Sequence, residues 1–478
     1  MSGLPPPLPS VVALSKLLDE NPVEFDIAIL RDCNNNDTSD DNNKEDEEEG
    51  QKDPFILQEG HLGLHAGDLA WLARDFRRTY RAYRPAFMEF IESEPNNSIT
   101  TSNQKVWQGN ELLPERILQA TSCLLLVCPD NATAWADRKR ALLCLQLTHS
   151  TRQLWTKELW FVNLVMTKHS KAPTAWFHRK YVFQKIVDET TSIDNLMDLV
   201  RNEIKVCIRV ADRYPKNYYA WTHRIYIVQR LKGGLRQEPT TLTTNKKEND
   251  DNICQQLFIS LLEEEWTFIE TWMRTHVSDH SAAHYGGCVL RMLLQVKRNI
   301  NKETIPQDAS LVLPDSVTSC TAFALKALST AKRATEAFPT HEVVWIFRRI
   351  CSHAFLLHMF STSNSQQREA NREITLKFWN QEVQDSRLVA DRPDRYPIKK
   401  DENNEVCLEA ALTNTLQLSY RVWILKHLLI YLRDQPSIDT VQYFGVDAST
   451  MRMLLLKMLL LLQECEHIPH NLYRSNKS

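Results

Sequence analysis

One short phrase recurs along this chain, and it constrains the fold more than any other feature. It is clearest in PKNYYAWTHRIYIV at Pro215–Val228, where a tryptophan opens an apolar helical stretch and a basic residue follows three positions later. Successive copies are separated by about 40–80 residues, a recurrence typical of stacked-repeat proteins with insertions. Five copies keep the pair, and a sixth, SDHSAAHYGGCVL, is read with other residues in the two places: Trp135/Arg138, Trp176/Arg179, Trp221/Arg224, Trp345/Arg348, Trp423/Lys426 and His284/Gly287.

The repeating unit is longer than the tryptophan phrase. In the clearest copy, apolar residues recur at helical spacing from Leu196 to Ala211, Tyr214-Pro215 ends that helix, and Asn217 is placed to cap a second helix. Each repeat is therefore predicted to be an antiparallel helix pair, which buries its apolar stripe against neighbouring pairs. A glutamate stands at one constant distance before three of the repeat tryptophans: Glu158 before Trp176, Glu203 before Trp221 and Glu405 before Trp423.

Composition agrees with a helical chain. Only 11 glycines occur in 478 residues, which leaves little material for the turns of an all-β fold. The predicted class is all-α, in the form of a right-handed α-α superhelix, a solenoid of antiparallel helix pairs. The helical-repeat domain is expected to span residues 58–470 with about six repeats, followed by a tail at 471–478. A solenoid grows by one repeat at a time, so this length needs no second type of core.

Polar segments explain the unequal steps between copies. The N-terminal segment, residues 1–57, contains ten acidic residues against two lysines between Asp32 and Asp53, and residues 32–53 are predicted to form a disordered acidic loop. Loop insertions are also expected near 237–252, 301–308 and 361–404, the last with a short helix inside it. The apolar run Met451–Gln463 is too short to span a bilayer and is predicted to be a helix closing the last repeat.

The cysteines and the first residues indicate where the protein works. The 11 cysteines are scattered without a CxxC pair, as expected for buried free thiols in a reducing compartment. The start, MSGLPPPLPSVVALSKLLDE, has no charged region followed by a long apolar core. A cytoplasmic location is therefore expected. No membrane span and no nucleic-acid partner are expected either.

No self-contained active site is evident. The sequence has no phosphate-binding glycine loop, no HExxH, no GxSxG and no Cys/His set at metal-ligand spacing. The repeated arginines suit helix junctions, where they would bond either the carbonyls ending a neighbouring helix or the glutamate of their own first helix, and one or two of them could face a ligand. His178 and His223 follow repeat tryptophans by two residues and are expected at the helix surface, bonded to a neighbouring repeat.

The repeats NATAWADRK, APTAWFHRK, KNYYAWTHR, HEVVWIFRR and YRVWILK resemble those of protein prenyltransferase alpha subunits, between about residues 129 and 430. HVSDHSAAHY and the long insertions most resemble the divergent branch of protein prenyltransferase alpha subunit repeat-containing proteins. The resemblance implies a crescent of helix pairs wrapped around a separate beta subunit, which holds the catalytic zinc and the isoprenoid pocket. It implies no metal or cofactor in this chain, and no activity by this chain alone.

The resemblance also implies a site. The heterodimer would transfer an isoprenoid from its diphosphate to a C-terminal cysteine of a protein substrate, with a geranylgeranyl-type beta subunit as the favoured partner. Lys171 and Tyr218 occupy the positions that aid departure of the diphosphate. The substrate-binding positions implied around the same turn are Lys216, Asn217, Tyr219, His223 and Arg224.

Two alternatives stay open. A lysine in an exposed turn is ordinarily only solvated, and Lys171 is followed by Ala172-Pro173 where the family usually has Asn-Tyr. The turn that holds Lys171 is therefore expected to differ from the turn before Tyr218.

The second alternative is a non-catalytic helical-repeat scaffold that binds peptides or proteins, although a tetratricopeptide period of about 34 residues is shorter than even the first two steps between repeat tryptophans.

Overall fold

The computed structural model describes residues 5–20, 26–30, 55–58, 61–92, 112–146, 149–234, 244–303, 315–360 and 374–381, together with parts of 416–430 and 452–456. The chain divides into two compact units, Met1–Gly234 and Leu235–Ser478. Both units are mainly α-helical, which confirms the all-α class. The acidic segment 32–53 and Glu405 lie outside the described residues, as do the tail and most of the run Met451–Gln463.

The first unit begins with elements that the sequence did not predict. Helix α1 (Pro9–Glu20) is followed by strands β1 (Asp26–Leu30), β2 (Phe55–Gln58) and β3 (His61–His65) and by helix α2 (Leu69–Glu92). The sheet order is β1-β3-β2, with β1 parallel and β2 antiparallel to β3. Leu62 and Leu64 lie on the same face of β3, and both are buried. The domain boundary expected at 57–58 falls within β2.

Three helix pairs complete the first unit: α3 (Leu112–Val127) with α4 (Ala132–Leu145), α5 (Thr151–Lys168) with α6 (Pro173–Glu189), and α7 (Ile193–Arg213) with α8 (Tyr218–Gly234). Each pair is joined by four residues, at 128–131, 169–172 and 214–217. Such short connections force the two helices to run antiparallel. The second helices pack in sequence, α4 against α6 and α6 against α8, so the pairs stack as the repeat pattern predicts.

Helix α7 shows why these residues form such pairs. Ser192 caps its N-terminus by accepting a hydrogen bond from the Asn195 amide. Its buried residues repeat at the i, i+3, i+4 and i+7 spacing of one helix face: Leu196, Met197, Val200, Glu203, Ile204, Cys207, Val210 and Ala211. Glu203 is the exception in this apolar stripe, and its partners are described below.

The second unit repeats the arrangement. Helix α9 (Thr244–Thr275) pairs with α10 (His280–Glu303), and α11 (Asp315–Ala337) pairs with α12 (Glu342–Phe360). Their connections, 276–279 and 338–341, again have four residues. Further helical residues lie at 374–381, within the insertion where a short helix was expected, and at 419–428. Two expected loops are partly helical, since residues 244–252 belong to α9 and residues 301–303 belong to α10.

The fourth pair corrects the sequence register by one residue. The repeat tryptophan is the fourth residue of α4, α6, α8 and α12, and the fourth residue of α10 is Ala283, not His284. Ala283 is fully buried, whereas His284 is exposed. The place of the basic residue is therefore held by Gly286 and not by Gly287. With Ala283 as reference, the steps on either side become equal, from 221 to 283 and from 283 to 345.

Close packing explains why a glycine occupies position 286. A Cβ atom built at this position would lie 2.7 Å from Ile269 Cγ2 and 3.2 Å from Phe347 Cε2. Helices α9 and α12 therefore both approach α10 where the other repeats place an arginine, and Ile269 and Phe347 take the space for a longer side chain. The loss of Trp and Arg in this copy is therefore accompanied by a change of packing.

Candidate functional site

The repeat tryptophans fix the turns that join the helices of each pair. The indole N–H of Trp135 donates to the Pro129 carbonyl at 2.7 Å, that of Trp176 donates to the Ser170 carbonyl at 2.8 Å, and that of Trp345 donates to the Pro339 carbonyl at 2.9 Å. In each case the acceptor lies six residues before the tryptophan. Each indole thus packs in the core while its N–H holds the preceding turn.

Side chains from each helix pair hold the turn of the preceding pair. His169 Nε2 lies 2.9 Å from the Leu126 carbonyl oxygen, and Thr174 donates to the Pro129 carbonyl at 2.7 Å. Tyr214 donates to the Thr167 carbonyl at 2.8 Å. We call the row formed by residues 128–131, 169–172 and 214–217 the turn edge. Its three turns lie side by side at one end of the helices.

Both expected catalytic residues are exposed at this edge. Lys171 lies in the turn 169–172, and its side chain is exposed. Tyr218 is the first residue of α8, directly after the turn 214–217, and is 63% exposed. The structure therefore places an ammonium group and a phenol on neighbouring turns.

The two turns differ in backbone conformation. Lys171 and Lys216 are equivalent, because each precedes its repeat tryptophan by five residues. Lys216 has a φ of 61°, in the left-handed region that few residues other than glycine adopt, and it is the sole such non-glycine residue among those described. In the other turn, Pro173 follows Ala172, which is extended with ψ of 112°, and no side chain caps α6. The Ala-Pro sequence thus does produce a different turn around Lys171.

The expected substrate-binding residues divide into two groups. Lys216 is exposed and Tyr219 is half-buried. Asn217, His223 and Arg224 are buried, and the hydrogen bonds of the first two are internal to the protein. The geometry gives these two residues structural roles, and substrate contact at any of the five positions stays a prediction.

Buried ion pairs join the three helix pairs of the first unit. Arg138 on α4 makes two hydrogen bonds of 2.7 Å to the carboxylate of Glu158 on α5. Arg179 on α6 repeats this with Glu203 on α7, at 2.9 and 2.6 Å. The expectation that these arginines act at helix junctions is right, but the glutamate belongs to the following pair and not to the arginine's own pair. Sequence reasoning missed this because the contacts between helices cannot be read from spacing.

The two histidines complete these ion pairs and do not lie at the surface. His178 Nε2 lies 2.6 Å from a Glu158 carboxylate oxygen, and His223 Nε2 lies 3.0 Å from one of Glu203. Both histidines are buried. Their rings also pack on the tryptophan of the preceding pair, with centroid distances of 4.5 Å for Trp135–His178 and 5.3 Å for Trp176–His223. The predicted contact with a neighbouring repeat is present, but the predicted exposure is wrong.

The charges of this network follow from burial and pairing. Burial alone would raise the pKa of Glu158, but Arg138 and His178 lower it to about 2, and Arg179 and His223 lower the pKa of Glu203 to about 2 in the same way. Burial lowers the pKa of both histidines, against the opposing effect of the carboxylates. At neutral pH the glutamates are therefore ionised and the histidines neutral, each donating its Nε2–H.

The fourth pair retains one member of this network. Glu265 stands before Ala283 at the same distance that Glu158 keeps from Trp176 and Glu203 from Trp221. It accepts a hydrogen bond from the hydroxyl of Tyr285, which takes the place of the histidine, two residues after the tryptophan position. With His284 taken as the tryptophan position, the same distance leads back to Trp266 and not to Glu265. The sequence pattern alone therefore did not identify this glutamate.

The described residues contain no group of three or more histidine, cysteine, aspartate or glutamate side chains placed to hold a metal ion. In the same part of the chain, no helix is long and apolar enough to cross a membrane. The eight cysteines described are free thiols, and burial raises the pKa of Cys123 to about 12 and that of Cys320 to about 11. Thiols of this kind are not reactive nucleophiles at neutral pH.

Comparison with known proteins identifies the repeat. The family model of the protein prenyltransferase alpha subunit repeat matches residues 200–231, which include most of α7, the turn 214–217 and Trp221. The match confirms the resemblance drawn from the tryptophan phrases, and the chain contains a repeat of this type.

Longer similarities extend over much of the chain. Protein prenyltransferase alpha subunit repeat-containing protein 1 of Danio rerio is 26% identical over 341 residues, 64% of this chain and 65% of that protein. The Homo sapiens protein of the same name is 24% identical over 346 residues, 67% of this chain and 73% of that protein. The geranylgeranyl transferase type-2 subunit alpha of Bos taurus is 22% identical over 253 residues, 52% of this chain and 36% of that protein. The chain thus spans about two thirds of the first relative and about one third of the last.

Proposed function

We propose that this chain, which contains a protein prenyltransferase alpha subunit repeat, is the alpha subunit of a heterodimeric protein prenyltransferase. Its partner is a beta subunit of the geranylgeranyl-transferring type. The pair transfers an isoprenoid from its diphosphate to a C-terminal cysteine of a protein substrate. The zinc that would bind and activate the cysteine thiolate resides in the beta subunit. The alternative is a scaffold that binds proteins without taking part in the chemistry.

The observation that carries the proposal is that Lys171, in one turn of the turn edge, and Tyr218, directly after the neighbouring turn, are both exposed. As the bond to the isoprenoid breaks, negative charge collects on the diphosphate. An ammonium group and a phenolic O–H are donors that stabilise such charge, and they act most strongly where water is excluded. Lys216, exposed on the second of these turns, adds a further positive charge at the same edge.

The geranylgeranyl specificity has a narrower basis. It is supported by the likeness to a relative named geranylgeranyl transferase type-2 subunit alpha, at 22% identity. The turn edge does not select the length of the isoprenoid, because the isoprenoid pocket is assigned to the beta subunit. The test must therefore offer both farnesyl and geranylgeranyl diphosphate.

The experiment is reconstitution with purified beta subunits, followed by single-turnover transfer. Lys171→Ala and Tyr218→Phe should each assemble normally, because both side chains are exposed, and each should slow the chemical step by about tenfold or more, or roughly 1.4 kcal/mol. Lys205→Ala removes a charge from an exposed position on α7 and serves as the matched control. The chain alone should transfer nothing.

Three outcomes decide against the proposal. Transfer by the isolated chain would contradict the division of labour between the subunits. Failure to form a stoichiometric complex with any beta subunit would favour a scaffold. Assembly with unaltered rates in both Lys171→Ala and Tyr218→Phe would mean that the chain supports its partner without touching the diphosphate.

A further inference from the structure

One buried side chain joins the two turns that hold Lys171 and Tyr218. Asn217 is only 1% exposed, and its amide group is used at both ends. Its Nδ2 donates to the Ser170 carbonyl at 2.9 Å, and its Oδ1 accepts from the amides of Tyr219 and Ala220 at 3.2 and 3.4 Å. The first bond crosses to the neighbouring turn, and the other two cap helix α8.

The two residues joined by the bond between turns are the chain neighbours of Lys171 and Tyr218. Ser170 directly precedes Lys171, and Asn217 directly precedes Tyr218. The same Ser170 carbonyl also accepts the Trp176 indole N–H at 2.8 Å, so both of its lone pairs are used. The backbone beside Lys171 is therefore fixed from two directions, by its own helix pair and by Asn217 of the next pair.

The conformation of the second turn places Asn217 where it can make this bridge. Lys216 has a φ of 61°, which reverses the chain immediately before Asn217. A lysine adopts this region only where surrounding contacts hold it there. The contacts available are the buried amide of Asn217 and the bond from Tyr214 to the Thr167 carbonyl, at 2.8 Å, both of which end on the preceding helix pair.

We propose that Asn217 is a positioning residue, and not a substrate ligand, which sets the separation between Lys171 and Tyr218 so that both reach one diphosphate. This inference rests on the proposed function, because it assigns a purpose to the spacing of those two side chains. Positioning matters since catalytic contributions fall steeply with displacements near ~1 Å. Asn217 acts through the backbone on either side of the bridge and touches no reacting atom.

The first repeat offers a matched control. Asn131 caps α4 as Asn217 caps α8, with its side chain accepting from the Ala134 amide at 3.0 Å. Within the described part of the chain, its side-chain amide makes no bond to a neighbouring turn. Serine caps helices about as well as asparagine but is too short to reach across. Asn217→Ser thus removes the bridge and keeps the cap, whereas Asn131→Ser changes only a cap.

Two measurements on the heterodimer separate positioning from folding. In hydrogen exchange, Asn217→Ser should speed exchange in residues 169–176, which include the neighbouring turn and the start of α6. Asn131→Ser should leave exchange there unchanged. In single-turnover transfer, Asn217→Ser should lower the rate about tenfold with KM for the isoprenyl diphosphate changed less than about twofold. Asn131→Ser should keep both constants within about twofold of the parent.

A double-variant cycle supplies the decisive result. If Asn217 acts through Lys171, then Asn217→Ser should slow the Lys171→Ala protein much less than it slows the parent. Equal slowing in both backgrounds, or the same rate for Asn217→Ser as for Asn131→Ser, overturns the positioning role while leaving the proposed function intact. If Lys171→Ala and Tyr218→Phe are themselves fully active, the proposed function fails, and this inference fails with it.

Discussion

Replacing Arg179 by methionine tests the energetic role of the buried network. Methionine retains most of the aliphatic volume of arginine but removes the guanidinium, which makes bonds of 2.9 and 2.6 Å to Glu203. Both side chains are almost fully excluded from solvent. The variant would leave the Glu203 carboxylate buried with His223 as its remaining partner, at 3.0 Å.

The magnitude follows from the pKa of Glu203. Burial alone would raise it, yet Arg179 and His223 lower it from 4.5 to about 2. At about 1.36 kcal/mol for each pKa unit, this shift corresponds to about 3 kcal/mol of stability at pH 7. Because the folded pKa is the lower one, that stability is fully present above pH 4.5 and is lost as the pH falls toward about 2. Arg179→Met should therefore destabilise the protein by about 3–5 kcal/mol at neutral pH.

The assay is native-state hydrogen exchange of peptides from α6 and α7, which reports the free energy of opening for this region without assuming that both units unfold together. Lys205→Met, at an exposed position on α7, removes the same charge and should cost less than about 0.5 kcal/mol. The double variant Arg179→Met/Glu203→Met should recover a large part of the loss, because it also removes the uncompensated charge.

Two results would refute the reasoning. A cost below about 1 kcal/mol for Arg179→Met would show that the ion pair is not needed to offset the burial of Glu203. A double variant at least as unstable as the sum of its single variants would show that volume, and not charge, determines the loss.

Three further predictions concern other regions. Lowering the pH from 7 to 5 should destabilise α5–α8. Burial holds the pKa of His178 and His223 below the ordinary value, so in this range the unfolded chain binds protons that the folded chain does not. The variant His178→Gln/His223→Gln should flatten this loss in thermal unfolding across the same range, and an unchanged slope would contradict it. Gly286→Ala should cost about 1–3 kcal/mol in chemical denaturation, since its Cβ would lie 2.7 Å from Ile269 Cγ2, and a stabilised variant would show that α9 and α10 can move apart. Deleting Asn34–Glu49, within the acidic segment, should leave the melting temperature and partner affinity nearly unchanged, and a loss above about 1 kcal/mol would mean that the segment docks.

The sequence by itself determined the repeat and the class of fold. A tryptophan and a basic residue three positions apart recur with helical periodicity, and this pattern is local to each copy. The turn residues Tyr214-Pro215 and Asn217 marked the end of one helix and the start of the next, and the structure confirms both. Lys171 and Tyr218 could be found in the same way, because their positions are counted from the nearest tryptophan.

What the sequence missed depended on contacts between distant segments. The strands β1, β2 and β3 are short, and the acidic segment separates β1 from its partner β3 along the chain. No local sequence pattern therefore predicted these strands. The register of the fourth pair was misread because this copy has neither the tryptophan nor the arginine from which positions are counted. The start of α10 at His280 identifies Ala283 as the equivalent of the tryptophan.

The site illustrates the same division. Sequence spacing identified Glu158 and Glu203 as members of the repeat, but only the stacking of helix pairs decided that each pairs with the arginine of the pair before it. Likewise, Asn217 could be recognised as a helix cap from its place in the chain. Its bond to Ser170 required the next turn to lie beside it, because a side chain's second partner is set by tertiary packing and not by its neighbours in sequence.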